Sequence, residues 1–446
     1  MRRISDMERN VWKNAAGYAK YLQCLNCKST FELKLMPEGC PVCKTDTFLS
    51  CLHVVFDYGA LRHVFRPESL SGRRRGLIRY REILPLDERA PAISLGEGGT
   101  PLVRSRWAEE KSGVSPVYLK DESRNPTWSF KDRLCYVAVC HGASTGARVI
   151  TVASSGNHGA AAAAYAAKAG IPCVVFTIPN APRPMVALMR SLGAIVLACK
   201  PMDRWALMGH CVKEFGWYPV GNYCSPMSAG NPFGVEGHKT MAYEMFEDLG
   251  ETPSAVFVPV GRAEGLFGIW KGFWEMEELG WSTAMPRMVA VEPEVGGPLV
   301  RAFERGLDTV PELQAGPSQA VSIAGGTGSY QGLYALKNSN GAGVLVSDEE
   351  MYQVQDALAR EGTFAELSSC ASVAAAVKAG REGRLDNEGP WVCMITASGL
   401  KDPYALEKLC SQPMPFMSGD VKAFAREFKE ACGLDLEEMG QRPGCG

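Results

Sequence analysis

The 446-residue sequence lacks any bias of charge: Lys and Arg number 47 against 49 Asp and Glu, for a formal net charge of -2 and a pI near 6.4. That balance argues against a polyanion partner or a basic membrane-binding face. No apolar run approaches the ~18 uninterrupted residues a spanning helix needs. The opening MRRISDMERNVWKNAAGYAK has charges but no apolar h-region. These absences lead us to expect a soluble, cytoplasmic protein with neither nucleic acid nor membrane as a partner. Internal repeats and long low-complexity segments are also missing. No G-x-G-x-x-G is followed ~20 residues on by a ribose-binding acid, which counts against a dinucleotide-dependent reductase. Cysteine is the exception, with sixteen. Four fall in a tight pattern, while most others stand singly in apolar segments such as GIPCVVF and WVCMIT, as reduced buried thiols do in a cytoplasm.

A hydrophobic content of 46% with 22% charged residues is ordinary for a globular chain, and ~150 residues per domain suggests two or three domains. From about residue 145, short β-branched runs alternate with alanine-rich or amphipathic ones. ARVITVASS, IPCVVFTIP, IVLACK, WYPVGNY, AVFVPVG, RMVAVEPE and WVCMITA read as strands; GNHGAAAAAYAAKAG and PMVALMRSLGA read as helices. Strands separated by helical crossovers indicate α/β layering around mostly parallel sheets. A lobe boundary is expected near SPMSAGNPFG, where small and turn-forming residues cluster. VKAFAREFKEAC near the end reads as an amphipathic helix, followed by a frayed QRPGCG.

Cys24-Leu-Asn-Cys27 is followed, after twelve residues, by Cys40-Pro-Val-Cys43. Two such knuckles can surround one zinc ion with four thiolates, a closed structural site with no position for a reacting water. The intervening KSTFELKLMPEG suggests a short hairpin, as in a zinc ribbon. Unmetallated or disulfide-linked pairs are the alternative, and Cys51 is read as a bystander.

NPTWSFKDR, residues 125–133, places a lysine at the start of a helix, where the positive end of the macrodipole disfavours a cation. Ser129-Phe-Lys-Asp132 has the form of a capping box, with Ser129 as N-cap and Lys131 two positions in. The backbone dipoles are expected to lower the lysine's pKa, as suits an amine that must attack an aldehyde; a solvated surface lysine also fits this motif alone. Strand VITVA runs into Ser154-Ser155-Gly156-Asn157-His158 at the start of an alanine-rich helix, a turn suited to a carboxylate or phosphate. The same strand, turn and helix recur at AVFVPV followed by Gly261-Arg262-Ala263-Glu264-Gly265.

With GEGGTPL, KDESRNPTWSFKDR, ASSGNHGAAAAAYA, NPFGVEGHKT, FAELSS and ITASGLKDP in that order, residues 76 to 405 resemble threonine synthase and its relatives, the fold-type II pyridoxal-phosphate enzymes of the tryptophan synthase β class. The resemblance implies a two-lobed α/β fold: residues 1–57 an extension with the ribbon; 58–115 and 241–412 a large cofactor-binding lobe; 116–240 a small lobe carrying Lys131 and the SSGNH loop; 413–446 a helix and tail. It makes Lys131 the catalytic residue and covalent carrier of pyridoxal 5'-phosphate. Asn157 would bond the phenolic oxygen, Gly261, Arg262, Ala263, Glu264 and Gly265 would cradle the phosphate, and Thr396 would face the pyridine nitrogen. Ser154, Ser155 and His158 would receive the substrate carboxylate. His158 also fits a helix cap. Glu366, Ser368 and Ser369 fit either a cofactor-side turn or a helix start. Tyr330 and Gln331 are candidate pocket residues, and Lys239 and Lys401 read as surface or inter-domain charges. Relatives are commonly dimers, so a homodimer is implied.

A neutral hydroxyl at Thr396 leaves the ring a weaker electron sink than a carboxylate would, favouring expulsion of a leaving group over transamination. The expected reaction is elimination or replacement at Cβ or Cγ of a small amino acid, threonine synthase-like. The resemblance also exposes departures. Gly234 stands where an arginine usually holds the substrate phosphate, which argues against phosphohomoserine. Trp128 replaces a glycine beside the lysine and is expected to reshape the pocket. Ala397-Ser398 replaces a Gly-His pair. Arg262 and Glu264 replace small residues, with Glu264 expected to point away or be neutralised by Arg262. A serine or threonine dehydratase or diamino-acid ammonia-lyase is the alternative, and a non-catalytic ribbon protein that binds the cofactor is the reading from another class.

Overall fold

The computed structural model describes residues 17–226, 230–385, 388–402 and 414–433, together with Ala405, Glu407 and Ser411. The chain forms two compact units, Met1–Asp402 and Pro403–Gly446. In the second, a helix spans Phe424–Cys432, while QRPGCG lies outside the described residues. The expected break at 413 therefore falls inside the second unit. Among the described residues no helix is long and apolar enough to cross a membrane.

The first unit begins with an antiparallel sheet of β1 (Ala19–Cys24), β2 (Thr30–Phe31) and β3 (Leu52–Phe56), in the order β2-β1-β3. Its hairpin joins β1 to β2, so the first CxxC forms the turn. This corrects the expectation of a hairpin within KSTFELKLMPEG, of which only Thr30–Phe31 is strand.

Next come β4 (Leu102–Arg104) and β5 (Val117–Asp121), then helix α1 (Lys131–Ser144). The parallel series β6 (Ile150–Ala153), β7 (Cys173–Thr177), β8 (Ile195–Ala198) and β9 (Tyr218–Pro219) follows, in the spatial order β8-β7-β6-β9. Its crossovers include α2 (Asn157–Ala169) and α3 (Asp203–Phe215). Alanine is the strongest helix former. Its small side chain also lets α2 bury Ala160 to Ala166.

The chain then adds β10 (Ala255–Pro259), α4 (Glu264–Leu279), β11 (Arg287–Pro293), α5 (Tyr330–Lys337), β12 (Ala342–Val346), α6 (Leu367–Arg381) and β13 (Trp391–Ile395). These strands form a six-stranded sheet, β12-β11-β10-β13-β5-β4, parallel except for edge strand β4. Strands β10 and β13 are buried along their whole length, as expected where helices cover both faces. β5 belongs to this larger sheet, so the expected small-lobe start at residue 116 cuts ahead of a strand of the other lobe. Its Lys120 and Asp121 hid it from a reading tuned to apolar runs.

Buried charge pairs hold α1 in place. Arg133 is fully buried and reaches Glu122 and Glu244, each at 2.7 Å. Breaking such a pair costs about 3–5 kcal/mol because the remaining charge is left uncompensated. The segment after β5 and the helix Thr240–Leu249 are thus tied to the helix that begins at Lys131.

A second network corrects the reading of Lys239 as a surface charge. Lys239 is fully buried between Glu236 and Glu275, at 2.7 and 2.9 Å. Lys271 pairs with Glu236 and donates to Val54 O of β3 at 2.5 Å, tying the N-terminal sheet to α4. Lys401 is buried as well, donating to Thr127 O at 2.6 Å. Each lysine finds an acceptor far along the chain, which its own neighbourhood in sequence does not reveal.

Candidate active site

The expected cofactor residues all follow the carboxyl ends of parallel strands, where open α/β sheets place ligands. Lys131 lies beyond β5, the loop Ser154 to His158 directly follows β6, Gly261 to Gly265 follow β10, and Thr396 follows β13. Segment 128–130 is stitched to the end of β13: Phe130 N donates to Thr396 O at 2.9 Å and Ser398 N to Trp128 O at 3.1 Å. Lys131 and Thr396 are thereby held side by side.

The capping box does not form. Lys131 is the first residue of α1, Phe130 occupies the N-cap, and Ser129 Oγ is buried without a hydrogen-bond partner. Asp132 turns back to accept from Thr127 N and Thr127 Oγ1, at 3.0 and 2.9 Å. Trp128 takes φ 58°, in the left-handed region that favours glycine. The residue is 47% exposed, so it stands at the surface next to the lysine segment.

Lys131 Nζ meets the carboxylate of Glu264 at 2.6 Å, with the side chains 16% and 6% exposed. Glu264 opens α4, so the amine sits at the anion-attracting end of that helix. Burial alone would raise the Glu264 pKa, but Lys131, then His158 and Arg262, bring it below the ordinary carboxylate value. The expectation that Glu264 points away or is neutralised by Arg262 is corrected: its partner is the lysine. The Arg262 guanidinium instead stacks over Trp205 of α3, 5.0 Å from the ring centroid.

Asn157 Nδ2 donates to Glu366 Oε2 at 2.7 Å, while Asn157 Oδ1 is buried without a partner. Ser322 Oγ also donates to Glu366. Glu366 is the N-cap residue of α6, yet its side chain caps no backbone group. Thr396 Oγ1 lies 2.9 Å from Ser369 Oγ. Ser154 Oγ accepts from Gly156 N at 3.2 Å, and Ser155 Oγ accepts from Thr177 Oγ1 at 3.1 Å. His158 is held neutral, its pKa pushed down to about 3 by burial and then by Lys131, and its Nε2 has no partner.

The loop from Gly261 to Gly265 lies close against the lysine segment: a Cβ on Gly265 would come 2.7 Å from the Phe130 ring. Arg262 O accepts from Ser329 Oγ and Gln331 Nε2 at 2.7 and 3.1 Å. These donors flank the start of α5, whose Tyr330 packs edge-on against Phe48 at 5.2 Å and whose Tyr334 accepts from Lys28 Nζ at 3.1 Å. Gln331 therefore supports the loop backbone, and Tyr330 faces the N-terminal sheet. Arg204, Ser322 and the carboxylate of Glu366 as partner of Asn157 were not anticipated; each is joined to the site only across the fold.

Cys24, Cys27, Cys40 and Cys43 form one cluster, with all four Sγ atoms within 4.8 Å of one another. Cys24 to Cys43 and Cys27 to Cys40 are both 3.7 Å. Four thiolates at ~2.3 Å from a tetrahedral zinc stand ~3.8 Å apart, so the donor set suits that ion. Cys51 lies outside the cluster and is buried.

An amine, an amide, a hydroxyl and a helix start behind a glycine-bearing loop match the aldehyde, phenolic oxygen, ring nitrogen and phosphate of pyridoxal phosphate. The orphaned Asn157 Oδ1 and His158 Nε2 mark polar surface suited to a ligand. The sequence pattern of the family "Pyridoxal-phosphate dependent enzyme" matches residues 93–397. Threonine synthase of Methanocaldococcus jannaschii is 33% identical over 416 residues, covering 92% of this chain and 99% of the relative. That of Halalkalibacterium halodurans is 34% identical over 357 residues, covering 80% and 98%. Among solved structures, a pyridoxal 5'-phosphate-dependent aspartate racemase superposes with TM-score 0.58 at 22% identity, covering 68% of this chain and 92% of that one. The processed form of threonine deaminase isoform 2 from Solanum lycopersicum gives 0.58 at 18% identity, covering 75% and 88%. The fold is that of the fold-type II enzymes. The chain belongs to the pyridoxal-phosphate-dependent enzyme family, as a lyase of its threonine synthase-like branch.

Proposed function

We propose that the protein catalyses elimination or replacement at Cβ or Cγ of a small amino acid, with Lys131 as the residue that carries the cofactor and moves the Cα proton. One observation carries the proposal: the Lys131 amine lies 2.6 Å from Glu264, at the helix start behind the Gly261 to Gly265 loop. Pyridoxal phosphate, when bound, supplies an aldehyde that condenses with amines and a ring that withdraws electrons from Cα. Backbone N–H groups of Gly261 to Gly265 would hold the phosphate, Asn157 would answer the phenolic oxygen, and Thr396, whose Oγ1 is set by Ser369 Oγ, would serve the ring nitrogen. Ser154, Ser155 and the N–H groups that open α2 receive the substrate carboxylate. Lys131 Nζ, once free, would take the Cα proton and return it to the leaving group or product.

Gly234 bears on the leaving group. Its Cα packs against α1, where an added Cβ would meet Ala138 Cβ at 3.1 Å and Leu134 Cγ at 3.2 Å. A side chain there would need those neighbours to give by a few tenths of an ångström, and the absence of an arginine keeps a dehydratase or diamino-acid ammonia-lyase beside a threonine synthase as candidates. The Cys24, Cys27, Cys40 and Cys43 cluster is a structural zinc site in this reading. The many unpaired buried thiols favour the cytoplasm, and a homodimer is the expected assembly.

The test is borohydride reduction of the loaded protein with peptide mapping, followed by absorbance spectra as single amino acids are added. A pyridoxyl group on Lys131, and a spectrum perturbed by one class of amino acid with release of phosphate, ammonia or keto acid, is expected. No adduct at Lys131 refutes the proposal. A Lys131→Ala variant that keeps its biological role would instead favour the non-catalytic reading.

A further inference from the structure

One residue of the segment that leads into Lys131 is gripped by two charged side chains that the proposed chemistry does not use. Lys401, in the short turn Gly399–Lys401 after β13, donates from Nζ to Thr127 O at 2.6 Å. Asp132, in the first turn of α1, accepts from Thr127 N and Thr127 Oγ1 at 3.0 and 2.9 Å. Lys401 is 9% exposed and Asp132 is fully buried. The carbonyl, amide and hydroxyl of Thr127 are thus all taken by these two groups. Just beyond it, Trp128 holds φ 58° and Ser129 forms an isolated antiparallel bridge with Ala397. A left-handed tryptophan is strained and persists only where its surroundings over-determine it. Its largely exposed side chain does not supply that constraint. The bonds to Thr127, immediately before it, and those of Trp128 O and Phe130 N to the end of β13 do.

The two charges lie in each other's field. Lys401 faces Asp132 and Glu366, and Asp132 faces Lys401 and Glu97. Asp402, next to Lys401, accepts from Leu367 N at 3.0 Å and from Gln355 Nε2 at 3.3 Å. Burial, opposed by Glu366 and Asp132, brings the Lys401 pKa down to about 8. Burial, opposed by the bonds from Thr127 and by Lys401, lifts the Asp132 pKa to about 7.

We propose that Lys401 and Asp132 are positioning residues which, by gripping Thr127, hold Lys131 where it can bond the cofactor aldehyde. The proposal rests on the pyridoxal-phosphate reading above. Both act through the backbone between Thr127 and Lys131, while Lys131 Nζ itself meets Glu264. Hydrogen bonds with one ionised partner are roughly twice as strong as neutral ones, so the grip is full only where Lys401 is protonated and Asp132 is ionised. The ammonium is lost above about pH 8 and the carboxylate below about pH 7. Order in the lysine segment, and with it cofactor affinity, should therefore peak between those values.

The test measures pyridoxal phosphate affinity by absorbance titration from pH 6 to pH 9.5. Alongside it, hydrogen exchange of peptide 125–133 is followed in cofactor-free protein and corrected for the intrinsic pH dependence of exchange. Wild type should show a maximum in both, with protection falling about fivefold towards either end of the range. Lys401→Gln keeps a donor for Thr127 O without the charge; it should abolish the alkaline limb and lower affinity at pH 7.5 by about fivefold. Lys401→Arg, charged throughout, should restore affinity and carry the alkaline limb beyond pH 9.5. Asp132→Asn should remove the acid limb. An alkaline limb that stays in place in both Lys401 variants overturns the proposal. So do variants that lose melting temperature alone and keep both limbs, since their role would then be structural only. Should the variants fail to fold, the wild-type exchange profile decides, and protection that does not change with pH refutes the grip. Failure of the wild type to load cofactor refutes the activity reading and leaves the exchange measurement decisive for the grip.

Discussion

Replacing Glu264 by Gln tests the most unexpected contact in the site. The carboxylate is 2.6 Å from Lys131 Nζ, with both side chains mostly buried. A hydrogen bond to a charged partner contributes about 1.5–3 kcal/mol. Lys131 keeps some contact with water and Gln keeps an oxygen acceptor, so about 2 kcal/mol is the reasonable loss. Cofactor attachment must take the lysine nitrogen away from Glu264, so the same energy opposes loading of the wild type. Removing it should therefore lower the melting temperature of the cofactor-free protein while tightening pyridoxal phosphate binding by about 30-fold, the equivalent of 2 kcal/mol. Pyridoxal, which lacks the phosphate, should gain less, because the Glu264→Gln change also removes a negative charge from the helix start that attracts phosphate. Absorbance titration with both compounds and thermal unfolding of the cofactor-free protein measure the two effects. Unchanged stability with unchanged or weaker binding would refute the idea that Glu264 competes for the lysine.

Trp128→Gly should raise stability by about 1 kcal/mol, because a side chain at φ 58° is strained and this one is largely exposed; a lower melting temperature refutes it. Glu292 accepts from Val300 N at 2.8 Å, and burial lifts its pKa to about 7 from an ordinary 4.5. The folded state therefore holds a proton that the unfolded state has lost, so stability falls as pH rises from 4.5 to 7. Glu292→Gln should remove that slope and recover about 3 kcal/mol above it, at ~1.4 kcal/mol per unit, read by unfolding at pH 4 and pH 8. Cys40→Ser, or chelation, should weaken pyridoxal phosphate binding by about 5-fold through the contacts from Lys28 and Phe48 across α5 to Arg262 O. By the same linkage, cofactor should raise zinc affinity by an equal factor, and independent affinities would refute the coupling.

The parts of the site legible in the sequence share one form: an apolar strand, a glycine-bearing turn and a helix. β6 into Ser154 to His158 and β10 into Gly261 to Gly265 are of this kind, because a buried parallel strand leaves a continuous apolar run. The cysteine cluster was legible because its ligands lie in two local pairs. Less was visible where polar groups choose distant partners. Asp132 bonds Thr127 rather than completing a capping box, and Glu264 finds a lysine 133 residues away. Lys239 and Lys401, charged in a sequence reading, disappear into the interior for the same reason. β5 carries Lys120, buried against Glu244 at 2.8 Å, inside a strand that local pattern could not assign to the larger sheet.

These distant partners have a common consequence for the chemistry. Two groups of the site are already answered from within the protein: Lys131 by Glu264, and Glu366 by Asn157. A ligand that engages Lys131 or Asn157 must exchange one protein partner for itself, so affinity there measures a difference between two pairings. Substitutions at Glu264 should therefore change cofactor affinity while leaving the order of preference among amino acids intact.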